Sequence, residues 1–336
     1  MSDQKFVMGI DISMDDFHVC AKVKKSTGEV KIKGTRSFAN TEKGFRAFYT
    51  WSKKRVGVED ELYFVMEATG VYYENLAYFL YAQGEYTAVV LANKAKNFAK
   101  SLNIKTKTDK VDSKIIAELG LERKLERWEP MSSHYKEVRD LCRELLSLKK
   151  EMTRAKSQLH AMEHSYRKSS RVIKLKNEQI DFYENAIDEI HEELKRLVAD
   201  DLELKEKLEK VQTIPGIGFE TSIILASETN GFRLFKNIRQ VVSYAGLDVA
   251  FNESGIFKGK TRITKKGNSR IRQALYMPSL SALRDNEPIK MLYERVCERN
   301  PEVKKKGVVA AMRKLLILTF VLWKKNEAYD KNYVWG

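Results

Sequence analysis

Apolar and polar positions along the 336-residue chain change period more than once. Up to Leu125, short apolar runs alternate with helix-like patterns. Phe6–Asp11 is an apolar run that predicts a strand, and Phe17–Lys24 alternates apolar and polar residues as a second. Val30–Phe38 predicts a third strand after the Thr27-Gly28 turn. Asn40-Thr41 has the composition of a helix cap, followed by Phe45, Phe48 and Trp51 spaced by three on one helical face. Leu62–Met66 predicts another buried strand, Tyr72–Ala82 a helix, and Tyr86–Leu91 a further strand. Three strands followed by alternating helices and strands predict a mixed α/β sheet.

From Pro130 to Lys210 the pattern becomes heptad-like. Leu141, Leu145, Leu148 and Met152 step by four, three and four, and Leu159, Met162 and Tyr166 continue the seam. Ile180, Tyr183, Ile187, Ile190, Leu194 and Leu197 repeat it, followed by Leu204, Leu208 and Val211. Sustained heptads with charges between them predict a coiled coil, with Arg167–Arg171 as the turn between antiparallel helices. An oligomerisation arm and a helical hairpin packed on its own protein both fit this pattern. The remainder reads as mainly helical. Its longest apolar run, Leu315–Trp323, falls well short of the roughly 20 residues that span a bilayer and predicts a buried helix instead. The expected domains are 1–128, 129–210 and 211–336.

Charge narrows the choice of partner. The chain carries 61 Lys and Arg against 46 Asp and Glu, a formal charge of +15. From Gln212 onward there are 22 basic and 11 acidic residues, so most of the excess lies there. That asymmetry points to a polyanion, of which nucleic acid is the usual one. Cys20, Cys142 and Cys297 are too far apart for a metal knuckle and read as reduced thiols of a cytoplasmic protein. Met1–Gly9 has no charged leader ahead of a long apolar stretch, so no signal peptide or membrane role is expected.

Four acids stand out by position. Asp11 ends the first apolar strand in Gly9-Ile10-Asp11, and Glu67 ends a later one in Met66-Glu67-Ala68-Thr69-Gly70. Asp109 and Asp112 lie three apart at the start of a predicted helix, on one face. Carboxylates at strand ends and on a helix face can form the oxygen cage that Mg²⁺ or Mn²⁺ takes. Two such ions assist phosphoryl transfer by activating one oxygen and neutralising another. Each acid also has a plainer reading as a turn residue or helix cap.

A second group of residues lies near the C-terminus. Ile214-Pro215-Gly216-Ile217-Gly218 precedes an apolar helix and is similar to the hairpin of helix-hairpin-helix motifs. There, Gly216 and Gly218 would let backbone N–H groups approach a phosphate. Tyr244-Ala245-Gly246-Leu247 leads to Glu253-Ser254-Gly255, and then to a tract without an acid. That tract holds Lys258, Lys260, Arg262, Lys265, Lys266, Arg270 and Arg272. Ser254, beside so many cations, is placed to attack or hold a phosphodiester. A serine before glycine is also ordinary turn chemistry.

Taken in order, these motifs resemble the transposases of IS-one-ten type insertion sequences, bridge-RNA-guided recombinases to which the Piv DNA invertase is related. The resemblance rests on Gly-Ile-Asp at 9–11, Glu-Ala-Thr-Gly at 67–70, Lys-Thr-Asp-Lys-Val-Asp at 107–112 and Ile-Pro-Gly-Ile-Gly at 214–218. Tyr-Ala-Gly-Leu at 244–247, Glu-Ser-Gly at 253–255 and Lys-Lys-Gly-Asn at 265–268 complete it. It implies a RuvC-like, RNase H-type domain with an Asp-Glu-Asp-Asp metal site at Asp11, Glu67, Asp109 and Asp112, then a coiled coil and a transposase domain. Ser254 matches the family's nucleophile. The implied activity is cleavage and rejoining of donor and target DNA through a phosphoserine linkage, with Mg²⁺ (or Mn²⁺) and a noncoding bridge RNA. It further implies a homo-oligomer, dimer or tetramer, in the bacterial cytoplasm and at the nucleoid when acting. Ile256-Phe257 interrupts the basic tract without touching a catalytic position. Two rival readings stay open: a metal-only nuclease or junction resolvase in which Ser254 merely binds phosphate, and a non-catalytic nucleic-acid-binding relic.

Overall fold

The computed structural model describes residues 4–57, 61–104, 108–250, 253–254, 257–259 and 262–331. The chain forms two compact units, residues 1–130 and 131–336.

The first unit is built on a five-stranded sheet. Its strands are β1 (Lys5–Ile12), β2 (Asp16–Lys24), β3 (Val30–Ala39), β4 (Glu61–Glu67) and β5 (Tyr86–Val90), in the order β3-β2-β1-β4-β5. The β1–β2 and β2–β3 pairs are antiparallel, whereas β1–β4 and β4–β5 are parallel. Each expected strand lies within about two residues of where the pattern puts it, because its apolar positions fill two different cores. Phe6, Met8 and Ile10 face helices α1 (Glu42–Lys53) and α2 (Glu74–Ala82) through Phe48, Leu76 and Leu80. Thr41 caps α1 by accepting from the Gly44 backbone N–H. Val7, Val65 and Ala88 face the other way, onto α3 (Ala92–Ser101) and α4 (Asp109–Glu122).

Helix α4 lies against β1 at backbone distance. A Cβ on Gly9 would stand 2.2 Å from the Ala117 nitrogen and 2.3 Å from the Ser113 oxygen. One on Gly120 would meet Val7 and Val65, and Lys5 donates its Nζ to the Gly120 carbonyl at 2.6 Å. Passing from Ser113 to Gly120 along α4 therefore means passing from Gly9 back to Lys5 along β1. The two run antiparallel, and the first turn of α4 lies toward the C-terminal end of β1.

The second unit is helical. Helix α5 (Ser133–Glu163) is followed by α6 (Ser170–Asp200), which returns along it; Lys156 and Glu184 pair across them at 2.7 Å. The connection falls at 164–169, slightly before the expected turn, since Ser170 is already helical. Asp201 separates α6 from α7 (Leu202–Gln212) and caps the latter by accepting from Leu204 N–H. Helices α8 (Phe219–Glu228), α9 (Ile238–Tyr244), α10 (Ser269–Asp285), α11 (Glu287–Glu298) and α12 (Lys305–Lys325) follow. Leu145 and Leu194 of the hairpin share one core with Val211, Ile223, Leu275 and Leu315, so the hairpin base is continuous with the C-terminal helices. The expected buried C-terminal helix is α12, whose Phe320 and Trp323 rings pack on Phe232. Among the described residues, no helix is long and apolar enough to cross a membrane. The free thiols Cys20 and Cys142 are buried, and burial pushes the Cys142 thiol up to about 12.

Candidate functional site

The parallel register of β1 and β4 pairs Ile10 with Met66, so Asp11 and Glu67 follow at the same level on neighbouring strands. Ile10 and Met66 point into the α1/α2 core. Alternation along a strand then directs Asp11 and Glu67 to the opposite face, the one that α4 covers. Asp112 sits in the first turn of α4, the end that lies toward Asp11, and is half-buried like the two strand acids. Asp109, the first residue of the same turn, is exposed. Thr108 caps the helix by accepting from Val111 N–H. Beyond Glu67, Ala68 N–H still bonds Val90 at 2.9 Å, and Gly70 turns the chain at φ +57°. Lys107 of the expected motif lies outside the described residues.

Three carboxylates thus occupy one end of one sheet face, with oxygen donors suited to a hard cation. Among the described residues, no three His, Cys, Asp or Glu side chains are grouped to hold an ion. The backbone arrangement fits a divalent metal at Asp11, Glu67 and Asp112, and Asp109 would have to turn inward to join them.

In the second unit, Ser254 lies in one of two short strand pairs. Strands β6 (Val249–Ala250) and β9 (Arg262–Ile263) are antiparallel. Strands β7 (Glu253–Ser254) and β8 (Phe257–Lys258) form a separate antiparallel pair, with Ser254 opposite Phe257. Ser254 is exposed. Gly255 and Lys260 lie outside the described residues, as does the side chain of Lys258. Arg262, Lys265, Lys266 and Arg270 are exposed. Lys265 adopts φ +53°, a left-handed conformation uncommon for a residue with a Cβ. Arg272 differs from its neighbours: its Nη1 donates to Ala245 O at 2.8 Å and to Gly267 O and Asn268 O at 3.3 Å. It therefore ties the loop together from below.

The expected hairpin glycines divide in the same way. Gly216, at φ +99°, would meet Ala282 Cβ and Pro278 O at 2.8 Å with any added Cβ, so it serves the close approach of α10. Gly218 begins α8 with open space around it. Sequence reasoning passed over Glu228, which is buried inside this unit. It accepts from Arg143 Nε and Nη2 at 2.7 and 3.0 Å and from Asn268 Nδ2 at 2.6 Å, with Arg270 at 3.9 Å. Burial would raise its carboxyl, but the Arg143 and Asn268 hydrogen bonds and the nearby guanidinium charges outweigh that and hold it below the usual value. Its position at the end of an apolar helix gave no signal in the sequence.

Comparison with known proteins decides the family. Residues 8–166 match the DEDD transposase model of the IS110 type, and residues 208–294 match the transposase model of the IS116/IS110/IS902 family. The chain belongs to the IS110 family of transposases. It is also 26% identical over 328 residues to the pilin gene-inverting protein of Moraxella bovis, covering 97% of this chain and 98% of that one. The pilin gene-inverting protein of Moraxella lacunata matches to the same extent. The family is one of DNA recombination enzymes of the transposase and DNA-invertase type.

Proposed function

We propose that this chain cuts and rejoins DNA through a covalent phosphoserine intermediate on Ser254, assisted by a divalent cation at Asp11, Glu67, Asp112 and Asp109. The observation that carries the reading is the common level and face of Asp11 and Glu67 on adjacent strands, with the first turn of α4 toward them. A bound Mg²⁺ would supply positive charge to the oxygens that gain charge during phosphoryl transfer. The acids of this chain hold and orient that charge. Ser254 Oγ attacks phosphorus, one P–O bond to DNA breaks, and the released DNA oxygen takes up a proton as serine gives one up. Attack by another DNA hydroxyl reverses these steps and frees the serine. Because the phosphoester is kept, rejoining needs no external energy, whereas hydrolysis would discard it.

The exposed cations Arg262, Lys265, Lys266 and Arg270 support the contact with a phosphodiester. The RuvC-like character of the sheet, the helical hairpin as a coiled coil, the dimeric or tetrameric assembly and the bridge RNA belong to the same reading. So does inversion of a DNA segment, which the names of the Moraxella relatives describe for those proteins. The test is direct. Protein recovered under denaturing conditions from cells expressing it, then digested with nuclease and protease, is examined by mass spectrometry. The expected result is a nucleotide remnant on the peptide containing Ser254, absent from the Asp11→Asn variant. Cleavage of DNA to free ends by Ser254→Ala at the normal rate would replace this reading with the metal-only nuclease.

A further inference from the structure

The helical unit has a second cationic surface, formed by residues outside the tract 258–272. Segment 233–239 and the last turns of α12 enclose an open groove of about 970 Å³. Among the described residues, Arg233, Lys236, Arg239, Lys324 and Lys325 line it, and no carboxylate does. Phe320 and Val321 are among its apolar lining. Lys325 is partly offset by Glu327 at 3.7 Å. Lys236, Arg239 and Lys324 are exposed, and among the described residues none of them forms a salt bridge.

The local backbone is committed to this arrangement. Asn230, Gly231 and Phe232 have φ of +50°, +60° and +55°, a run of left-handed residues. For a side chain as large as phenylalanine that conformation is an outlier and must be held by its surroundings. It is held here by the fully buried Phe232 ring against Phe320 and Trp323, and by Phe232 N–H donating to Thr229 Oγ1 at 3.2 Å. The strained turn delivers Arg233 to the groove, and the core contact that pays for it is with the helix forming the opposite wall.

We propose that this groove binds the phosphodiester backbone of a nucleic acid, as a contact separate from the 258–272 tract. Several cations without an acid far exceed what one small anion would neutralise, and an open groove suits an extended polyanion. Helix α9 links the two surfaces: Ile238 lines the groove, and Tyr244 at the other end accepts from Asn268 N–H at 2.7 Å. A seven-residue helix spans about 10 Å at 1.5 Å per residue, or roughly three nucleotides of rise at 3.4 Å each.

The proposal rests on the reading of the chain as a nucleic-acid enzyme, and the test separates the two. Binding of the full chain to duplex DNA and to single-stranded RNA is measured across a salt series. Two variants are compared with wild type: Lys236→Ala/Arg239→Ala/Lys324→Ala and Lys265→Ala/Lys266→Ala/Arg270→Ala. The groove variant is expected to lower the salt slope by about 2.7 on duplex DNA or about 2 on the single strand. Flattening on only one ligand assigns the groove to that ligand. A groove variant with wild-type slopes on both, when the tract variant flattens them, overturns the groove alone. Unchanged slopes in both variants overturn the tract and the groove together. Equal melting temperatures for all three proteins exclude unfolding as the cause.

Discussion

Asn268 donates its side-chain N–H to Glu228 at 2.6 Å, while its own side-chain oxygen accepts from Arg270 N–H and Ile271 N–H at the start of α10. One buried carboxylate thus fixes the residue that starts the helix behind the basic loop, and Arg143 anchors the same carboxylate to α5. Glu228→Ala takes the acceptor from three donors, Arg143 Nε and Nη2 and Asn268 Nδ2; because Arg143 is partly exposed and can reach water, the cost is about 1–3 kcal/mol. A fall in melting temperature of at least several degrees is expected. The pH dependence follows from the lowered carboxyl. Its folded pKa lies below the ordinary 4.5, so its contribution is complete above that value and is lost as pH falls through the folded pKa. Melting curves from pH 6 to pH 3 should show a loss in wild type that is smaller in Glu228→Gln. Equal acid sensitivity in both proteins would remove Glu228 from this role.

The seat of α4 on the sheet makes a second prediction. In Gly9→Ala the new methyl would meet helix backbone, which cannot move aside as a flexible side chain can. Overpacking costs about 1–3 kcal/mol where neighbours adapt, and here the upper end is expected. Gly218→Ala adds its methyl to open space and should melt like wild type. Thermal denaturation of the two variants side by side decides this; equal melting would mean that α4 does not lie against Gly9.

Metal binding can be read without activity. Neighbouring carboxylates repel one another, so a ligand cation that binds only the folded state raises stability by mass action. Mg²⁺ should raise the melting temperature of wild type, and that increment should vanish in Asp11→Asn and Glu67→Gln along with at least a hundredfold of DNA cleavage. Asp109→Asn, altering an exposed acid, should retain more of the increment than Asp112→Asn. The reverse order would make Asp109 the closer ligand.

That difference shows where sequence stops. Spacing by three assigns Asp109 and Asp112 equally to one helical face, and only the packing of α4 on Gly9 distinguishes their depth. The strands were legible because Phe6, Met8 and Ile10 serve one core while Val7 serves another, which leaves an unbroken apolar run. Asp11 and Glu67 were legible as acids that interrupt such runs. Helix α3 left little mark, since only Ala95 and Phe98 of it are buried. Glu228 was illegible for the opposite reason: an acid after Ile223–Ala226 reads as a helix end, and its partners lie 85 and 40 residues away. Arg272 was counted with the phosphate-facing cations because composition does not say which way a guanidinium points.

Its direction gives the final prediction. Arg272 Nη1 serves the carbonyls of Ala245, Gly267 and Asn268, and Gly267 approaches the Tyr244 carbonyl so closely that an added Cβ would lie 2.4 Å from it. Arg272→Ala strips the carbonyl of the fully buried Ala245 of a charged donor, costing about 1–3 kcal/mol, and should lower the melting temperature. Lys266 is exposed, so Lys266→Ala should leave melting unchanged and lower the salt slope of DNA binding by about 0.9. Lys265 combines both effects. Its left-handed backbone costs about 1–2 kcal/mol that glycine avoids, so Lys265→Gly should melt higher than wild type while binding DNA more weakly. A stabilised variant with weaker binding is the mark of strain kept for a contact. If Lys265→Gly instead binds as tightly as wild type, the exposed cation is not a phosphate ligand and the strain at that position has another cause.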